Sequence, residues 1–179
     1  MKSQNKQQWY VVTGGPSSGK TTLVNELVKL GHAGYPEAAR TLIDIELAAG
    51  RKLEDIQGTA DFQKRILEFR IEMEKKAPKD KIVFFDGAIP DGVAYCKLQR
   101  LDIEEYKKYY VPGVYRKIFF CRPLKFEKDY ARVEDERMAQ EIAGMRRQSY
   151  QDLGYEIIDL PATPAVSDRV AIVLREIKK

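Results

Sequence analysis

Apolar residues follow two rhythms along this chain. Trp9-Tyr10-Val11-Val12 and Ile82-Val83-Phe84-Phe85 are unbroken apolar runs, the pattern of parallel strands covered on both faces. Elsewhere apolar residues recur every three or four positions. Leu23, Val24, Leu27, Val28 and Leu30 do so until Gly31, and Phe62, Ile66, Phe69 and Met73 do so until Pro78. The spacing predicts a strand over 9–13, a helix to Gly31, and a weak strand in 31–36 broken by Gly31 and Gly34. Glu37 opens a helix over 38–49 that Gly50 closes, and a polar connection over 51–59 leads to a helix over 60–76. A strand over 81–86, a helix from Pro90-Asp91 to Leu98, a short amphipathic segment over 103–110 and a strand over 115–121 follow. A charged stretch over 122–135, a helix over 136–153, a strand over 155–160 and a last helix capped by Ser167 complete the chain. Residues 1–8 read as a loose polar tail, and 9–179 as a single domain. Strands alternating with helices predict an α/β fold, a parallel sheet with helices on both faces. Its ligands should sit beyond the carboxyl ends of the strands.

The first strand-to-helix turn carries the sharpest chemistry. Gly14-Gly15-Pro16-Ser17-Ser18-Gly19-Lys20-Thr21-Thr22 is G-x-x-x-x-G-K-T, the P-loop of NTPases, with the strand before it and the helix after it that the motif needs. Glycines let the main chain curl round a phosphate with its N–H groups inward, and the helix aims its positive end at the same anion. Lys20 is placed for the β- and γ-phosphates. The Thr21 hydroxyl is placed for Mg²⁺. No Asn-Lys-x-Asp guanine-reading motif occurs, which favours ATP.

Other candidates follow the strands. Asp86 ends the 81–86 strand, where a carboxylate suits Mg²⁺ or a substrate hydroxyl, or simply caps a turn. Glu37 and Arg40 are three apart and share a helix face. Together they suit a polar acceptor, and equally an ordinary helix start with a surface arginine. Asp91 is a further candidate for substrate contact, or only an acidic first-turn residue. The 122–135 stretch interleaves arginine and lysine with aspartate and glutamate, as a flap over the site would and as a solvated loop would. Its place between a strand and a helix favours a flap. Arg132 leads as the cation for the transferring phosphoryl group, with Arg137 and Arg122 behind it.

Composition narrows the rest. Hydrophobic residues make up 44% and charged residues 32% of 179 residues, and the net charge is +4. That is ordinary for a soluble globular protein and gives no reason to expect a nucleic-acid partner. His32 is the single histidine, which rules out a Ser–His triad or a His-based zinc site. Cys96 and Cys121 sit in apolar runs and read as buried thiols. No stretch approaches the roughly 20 apolar residues of a membrane span, and the chain reads as cytoplasmic.

Several segments together resemble a family of single-domain P-loop proteins taken as ATPases or kinases. They are the P-loop itself, Pro36-Glu37-Ala38-Ala39-Arg40, Phe85-Asp86 with Ile89-Pro90-Asp91 and Tyr95, Asp129-x-x-Arg132, and Tyr150-Gln151-Asp152-Leu153-Gly154-Tyr155. That family is similar to the ribosylnicotinamide kinase domain of the bacterial NAD-synthesis regulator, and to nucleoside and thymidylate kinases. The resemblance implies a P-loop NTPase three-layer sandwich with a five-stranded parallel core and a lid, here about 122–137. It also implies that Glu37 and Asp86 face the acceptor and that Arg132 belongs to the lid. Such relatives commonly carry Asp-Arg after the third core strand, whereas here Gly87 follows Asp86. The expected activity is transfer of the γ-phosphoryl group of ATP, with Mg²⁺, to a small hydroxyl-bearing metabolite such as a nucleoside. Lys20, Arg132 and either Glu37 or Asp86 as base would carry it. The competing expectation is a nucleotide-dependent ATPase or switch that binds a protein or lipid partner.

Overall fold

The computed structural model describes residues 7–56, 59–125, 134–163 and 165–179. Five strands form one all-parallel sheet in the order β2-β3-β1-β4-β5. They are β1 (Trp9–Gly14), β2 (Ala33–Tyr35), β3 (Val83–Asp86), β4 (Lys117–Cys121) and β5 (Ile157–Leu160). Every crossover is long enough to carry a helix, as parallel pairing requires. The helices are α1 (Lys20–Lys29), α2 (Ala38–Ala48), α3 (Leu53–Ile56), α4 (Ala60–Lys76), α5 (Gly92–Leu98), α6 (Glu104–Lys107), α7 (Glu136–Asp152) and α8 (Val166–Glu176).

Strand alternation sorts the core into two faces. Trp9 and Val11 of β1, Val83 and Phe85 of β3 and Ile118 of β4 pack with Leu42, Ile43, Phe62, Ile66 and Tyr150 from α2, α4 and α7. Tyr10, Val12, Phe84, Phe119 and Cys121 face the other way, onto Leu23, Val24 and Leu27 of α1 and Val173 of α8. Trp9 meets Phe85 edge-on at 5.4 Å between centroids, and Tyr10 stacks on Phe84 at 5.5 Å. Burying one such ring contributes about 1.5–3 kcal/mol. The central trio β3-β1-β4 therefore holds its P-loop end rigidly.

Several predicted boundaries shift. Strands expected to start at 81, 115 and 155 begin at 83, 117 and 157. Lys81 is exposed, and the Arg116 N–H bonds Trp9 O outside the ladder. The weak second strand is a three-residue β2, paired to β3. The polar connection over 51–59 contains α3, whose Ile56 is buried. Ile89-Pro90-Asp91 forms a single 3₁₀ turn ahead of α5. Ser167 is not the cap of α8. Ala165 holds that position, and the turn is tied by the Thr163 hydroxyl, which accepts from the Ala165 N–H and donates to Asp168. Both cysteines are buried and free. No helix among the described residues is long and apolar enough to cross a membrane.

Candidate active site

The P-loop joins β1 to α1 through two left-handed positions. Gly19 has φ +78°, and Ser17 takes φ +58°, which costs a non-glycine residue about 1–3 kcal/mol when held there. The turn closes on one carbonyl. Ser18 Oγ and Lys20 Nζ both donate to Gly15 O, at 2.8 and 2.7 Å. Lys20 is buried, and burial with the nearby charge of Arg146 lowers its pKa, while Asp86 and Glu37 pull the other way. From the second residue of α1 the Thr21 hydroxyl donates to Asp86 Oδ2 at 2.5 Å. β1 and β3 are neighbours in the sheet, so their carboxyl ends bring these two residues together. The other carboxylate oxygen, Asp86 Oδ1, is buried with no hydrogen-bond partner among the described residues. Burial raises the Asp86 carboxyl to about 6, against the pull of Lys20.

A hydroxyl beside a half-satisfied carboxylate is the donor set a hard cation uses alongside nucleotide phosphates, which need only one or two protein carboxylates. Thr21 and Asp86 therefore fit Mg²⁺. Among the described residues no cluster of three or more His, Cys, Asp or Glu suggests a site built wholly of protein.

Beside Lys20 and Thr21 opens a cavity of about 310 Å³. Glu37 and Arg40 line one wall from α2; Phe62, Gln63 and Ile66 line another from α4; Tyr95 comes from α5, and Glu134 and Arg146 from the α7 side. Glu37 is the N-cap residue of α2, yet its side chain takes no part in capping. The Thr41 N–H and hydroxyl bond its main-chain carbonyl instead, at 3.1 and 3.0 Å. The Tyr95 hydroxyl donates to Glu134 Oε1 at 2.5 Å. Burial first, and the neighbouring Glu134 carboxylate, hold the phenol's pKa far above its ordinary value, so Tyr95 remains a donor.

The sequence-predicted residues divide accordingly. Lys20, Thr21, Glu37 and Arg40 share the cavity wall, and Asp86 lies directly behind Thr21. Arg132 falls within 126–133, outside the described residues. Arg122 is exposed, 3.6 Å from Asp159. Arg137 lies exposed in the first turn of α7. Asp91 is corrected from a substrate contact to an interior residue. It is fully buried, and both oxygens are occupied. Oδ2 accepts from the Ala88 N–H at 2.9 Å and from the Tyr150 hydroxyl, while Oδ1 accepts from the Thr13 hydroxyl and lies 3.5 Å from Arg146 Nε. Burial alone would raise its pKa, but Arg146 and then Arg70 outweigh it and hold the carboxyl below its usual range.

A family model described as an AAA domain matches residues 9–169. The chain belongs to that family. No curated protein matches it. Among solved structures it is similar to the NadR protein in complex with NR, at TM-score 0.67 and 18% identity, over 96% of this chain and 52% of that one. It is also similar to deoxyadenosine kinase from M. mycoides with bound dATP (TM-score 0.60, 15% identity, 96% and 100% covered). A third likeness is to shikimate kinase from Aquifex aeolicus (TM-score 0.57, 17% identity, 95% and 96% covered). The chain spans about half the length of the NadR chain. At these identities the likeness carries the fold, and the five-stranded parallel sheet is the P-loop kinase fold.

In this AAA-domain chain the most consequential residue the sequence reading passed over is Arg146. Its Nη1 donates to Gly14 O at 2.8 Å, and its guanidinium lies 5.5 Å from the centroid of the Tyr95 ring. It links the P-loop, the cavity wall and the buried Asp91. Burial works against its charge, but Asp91, Tyr95 and Glu37 together keep the guanidinium strongly protonated. A signal for it existed. Ala139, Ile142, Ala143, Arg146 and Tyr150 form the inward stripe of α7, and an arginine inside such a stripe must find partners within the fold. Gly87 sits at φ +72°, a conformation that an arginine there would adopt only with strain.

Proposed function

We propose that the chain is an ATP- and Mg²⁺-dependent phosphotransferase acting on a small hydroxyl-bearing acceptor of about nucleoside size. The observation that carries this reading is the second compartment. A cavity of about 310 Å³, at the lower end of the size of small-molecule sites, opens against Lys20 and Thr21 and is lined by Glu37, Tyr95, Glu134 and Arg146. A nucleotide switch has no need of a walled space beyond the γ-phosphate. A NadR structure of the same fold (TM-score 0.69, 19% identity) holds AMP-PNP, an ATP analogue, and the deoxyadenosine kinase holds dATP, which supports binding of an adenine nucleotide.

On this reading the P-loop N–H groups and Lys20 hold the β- and γ-phosphates. Thr21 and Asp86 hold Mg²⁺, which when bound neutralises charge on the phosphate oxygens. Glu37, which faces the cavity where Asp86 does not, accepts the proton of the attacking hydroxyl. Tyr95 and Glu134, bonded to each other, present acceptor oxygens to further hydroxyls of the acceptor, and Phe62 and Ile66 take its apolar face. Arg146 places a fixed positive charge beside the transfer path. Catalysis is then mostly positioning and preorganised charge.

The test is ATP consumption with Mg²⁺ across a panel of nucleosides, sugars and small alcohols, with Lys20→Ala as control. One acceptor class should raise Lys20-dependent turnover well above the acceptor-free rate and yield a phosphorylated product by mass. Full activity in Lys20→Ala refutes the site.

A further inference from the structure

Arg169 lies on α8, away from the cavity, and is only 2% exposed. Its guanidinium donates to three main-chain carbonyls and lies against the Cys121 thiol. Nε donates to Pro161 O at 2.8 Å, Nη2 to Arg122 O at 3.0 Å, and Nη1 to Ser18 O. Among the described residues no carboxylate is ion-paired with it. A buried cation held by three peptide dipoles has been placed for those dipoles, since an apolar residue would fill the same position on α8 without the desolvation cost.

The geometry of a peptide unit says what this achieves. The Ser18–Gly19 unit is planar and trans, so its C=O and N–H point in opposite directions. Holding Ser18 O toward α8 aims the Gly19 N–H away from α8. The packing is close: a Cβ on Gly19 would sit 3.1 Å from Arg169 Nη1 and 3.2 Å from Leu124. Arg146 does the same from the other side. By holding Gly14 O it orients the Gly15 N–H. Two buried arginines from two different helices thus grip the P-loop by its outward carbonyls.

We propose that Arg169 is a positioning residue for phosphate binding. By holding the Ser18 carbonyl it aims the Gly19 N–H into the phosphate cradle. Through the Arg122 carbonyl it ties that cradle to the first residue after β4, where the charged 122–135 stretch begins. The proposal rests on the reading of the P-loop as a nucleotide site.

The experiment is ATP binding by titration calorimetry on the full chain, for the parent, Arg169→Ala, Arg169→Lys and Lys20→Ala, with melting curves alongside. Arg169→Ala should weaken ATP binding by about tenfold or more, the loss of a charged hydrogen bond, and Arg169→Lys by less. Millimolar guanidinium ion should restore much of the affinity of Arg169→Ala, whereas sodium chloride at the same concentration should not. A residue that only anchors α8 would lower the melting temperature, leave ATP affinity in place and show no rescue. ATP affinity within about twofold of the parent in Arg169→Ala overturns the proposal. If that variant does not fold, unchanged affinity in Arg169→Lys overturns it. Loss in Lys20→Ala with none at Arg169 removes this proposal alone, and no loss in either removes the nucleotide site with it.

Discussion

Asp91→Asn isolates the charge of the buried network at nearly constant shape. The amide can still accept from the Ala88 N–H, and the Thr13 and Tyr150 hydroxyls can rotate to meet its new donor. Arg146 cannot adapt. It is 4% exposed, its ion-pair partner among the described residues is Asp91 Oδ1 at 3.5 Å, and the substitution leaves its charge facing a neutral amide. Breaking a buried pair from one side costs about 3–5 kcal/mol, out of a typical total of about 5–15 kcal/mol. At about 2–4 °C per kcal/mol for a chain of this size, the melting temperature should fall by about 6–20 °C. The assay is urea and thermal unfolding followed by circular dichroism, with Arg146→Met and the double variant closing a cycle. The double variant should be more stable than Asp91→Asn, because both charges have gone. In acid the parent should follow the same logic. The folded pKa of Asp91 lies below its unfolded value of about 4, so its contribution is present above that pH and is lost as pH falls through the folded value. A loss under about 1 kcal/mol in Asp91→Asn, or simple additivity in the cycle, refutes the account of the network as a paired charge.

Two further outcomes follow from the same structure. Asp86 binds its proton more tightly folded than unfolded, so the stability of the nucleotide-free protein should fall as pH rises from about 4 to about 6. Asp86→Asn should remove that slope and leave the protein more stable than the parent at neutral pH by about 2–3 kcal/mol, and on the proposed function it should also abolish turnover; equal or lower stability contradicts the first outcome. Gly92→Ala should destabilise by at least about 1–3 kcal/mol in urea unfolding, because the added methyl overlaps the ring of buried Tyr106, whose hydroxyl is fixed on Gln63 O at 2.7 Å. A near-neutral effect would mean that the ring can move aside.

The sequence made the strand–turn–helix at 9–30 plain because three signals coincide there: an apolar run, glycines at the turn and a helical stripe. It also offered both Thr21 and Asp86 to Mg²⁺, and the shared edge of neighbouring parallel strands brings the two side chains together. Asp91 was misjudged because an acidic residue after proline looks the same on the surface as in the core. Only tertiary packing brings Thr13, Tyr150 and Arg146 to it from 78, 59 and 55 residues away. The arginines were legible in principle. Arg70, Arg146 and Arg169 each occupy an inward position of their helices. What an arginine at such a position binds is a main-chain carbonyl or a distant carboxylate, and no local spacing records that.

The sheet's two outer strands are three and four residues long, while the three inner ones hold the core. On β5 the outward Asp159 is gripped by Arg147 through two bonds of 2.8 and 2.9 Å, with Arg122 close by. Unpaired strand edges are where sheets of separate molecules join, and short, charge-bearing edges resist that joining. Two short edges, one of them charged, therefore work against edge-to-edge joining of copies of this fold. Where copies of it do associate, they should meet through helix faces, leaving the phosphate end of β1 open to solvent-borne ligands.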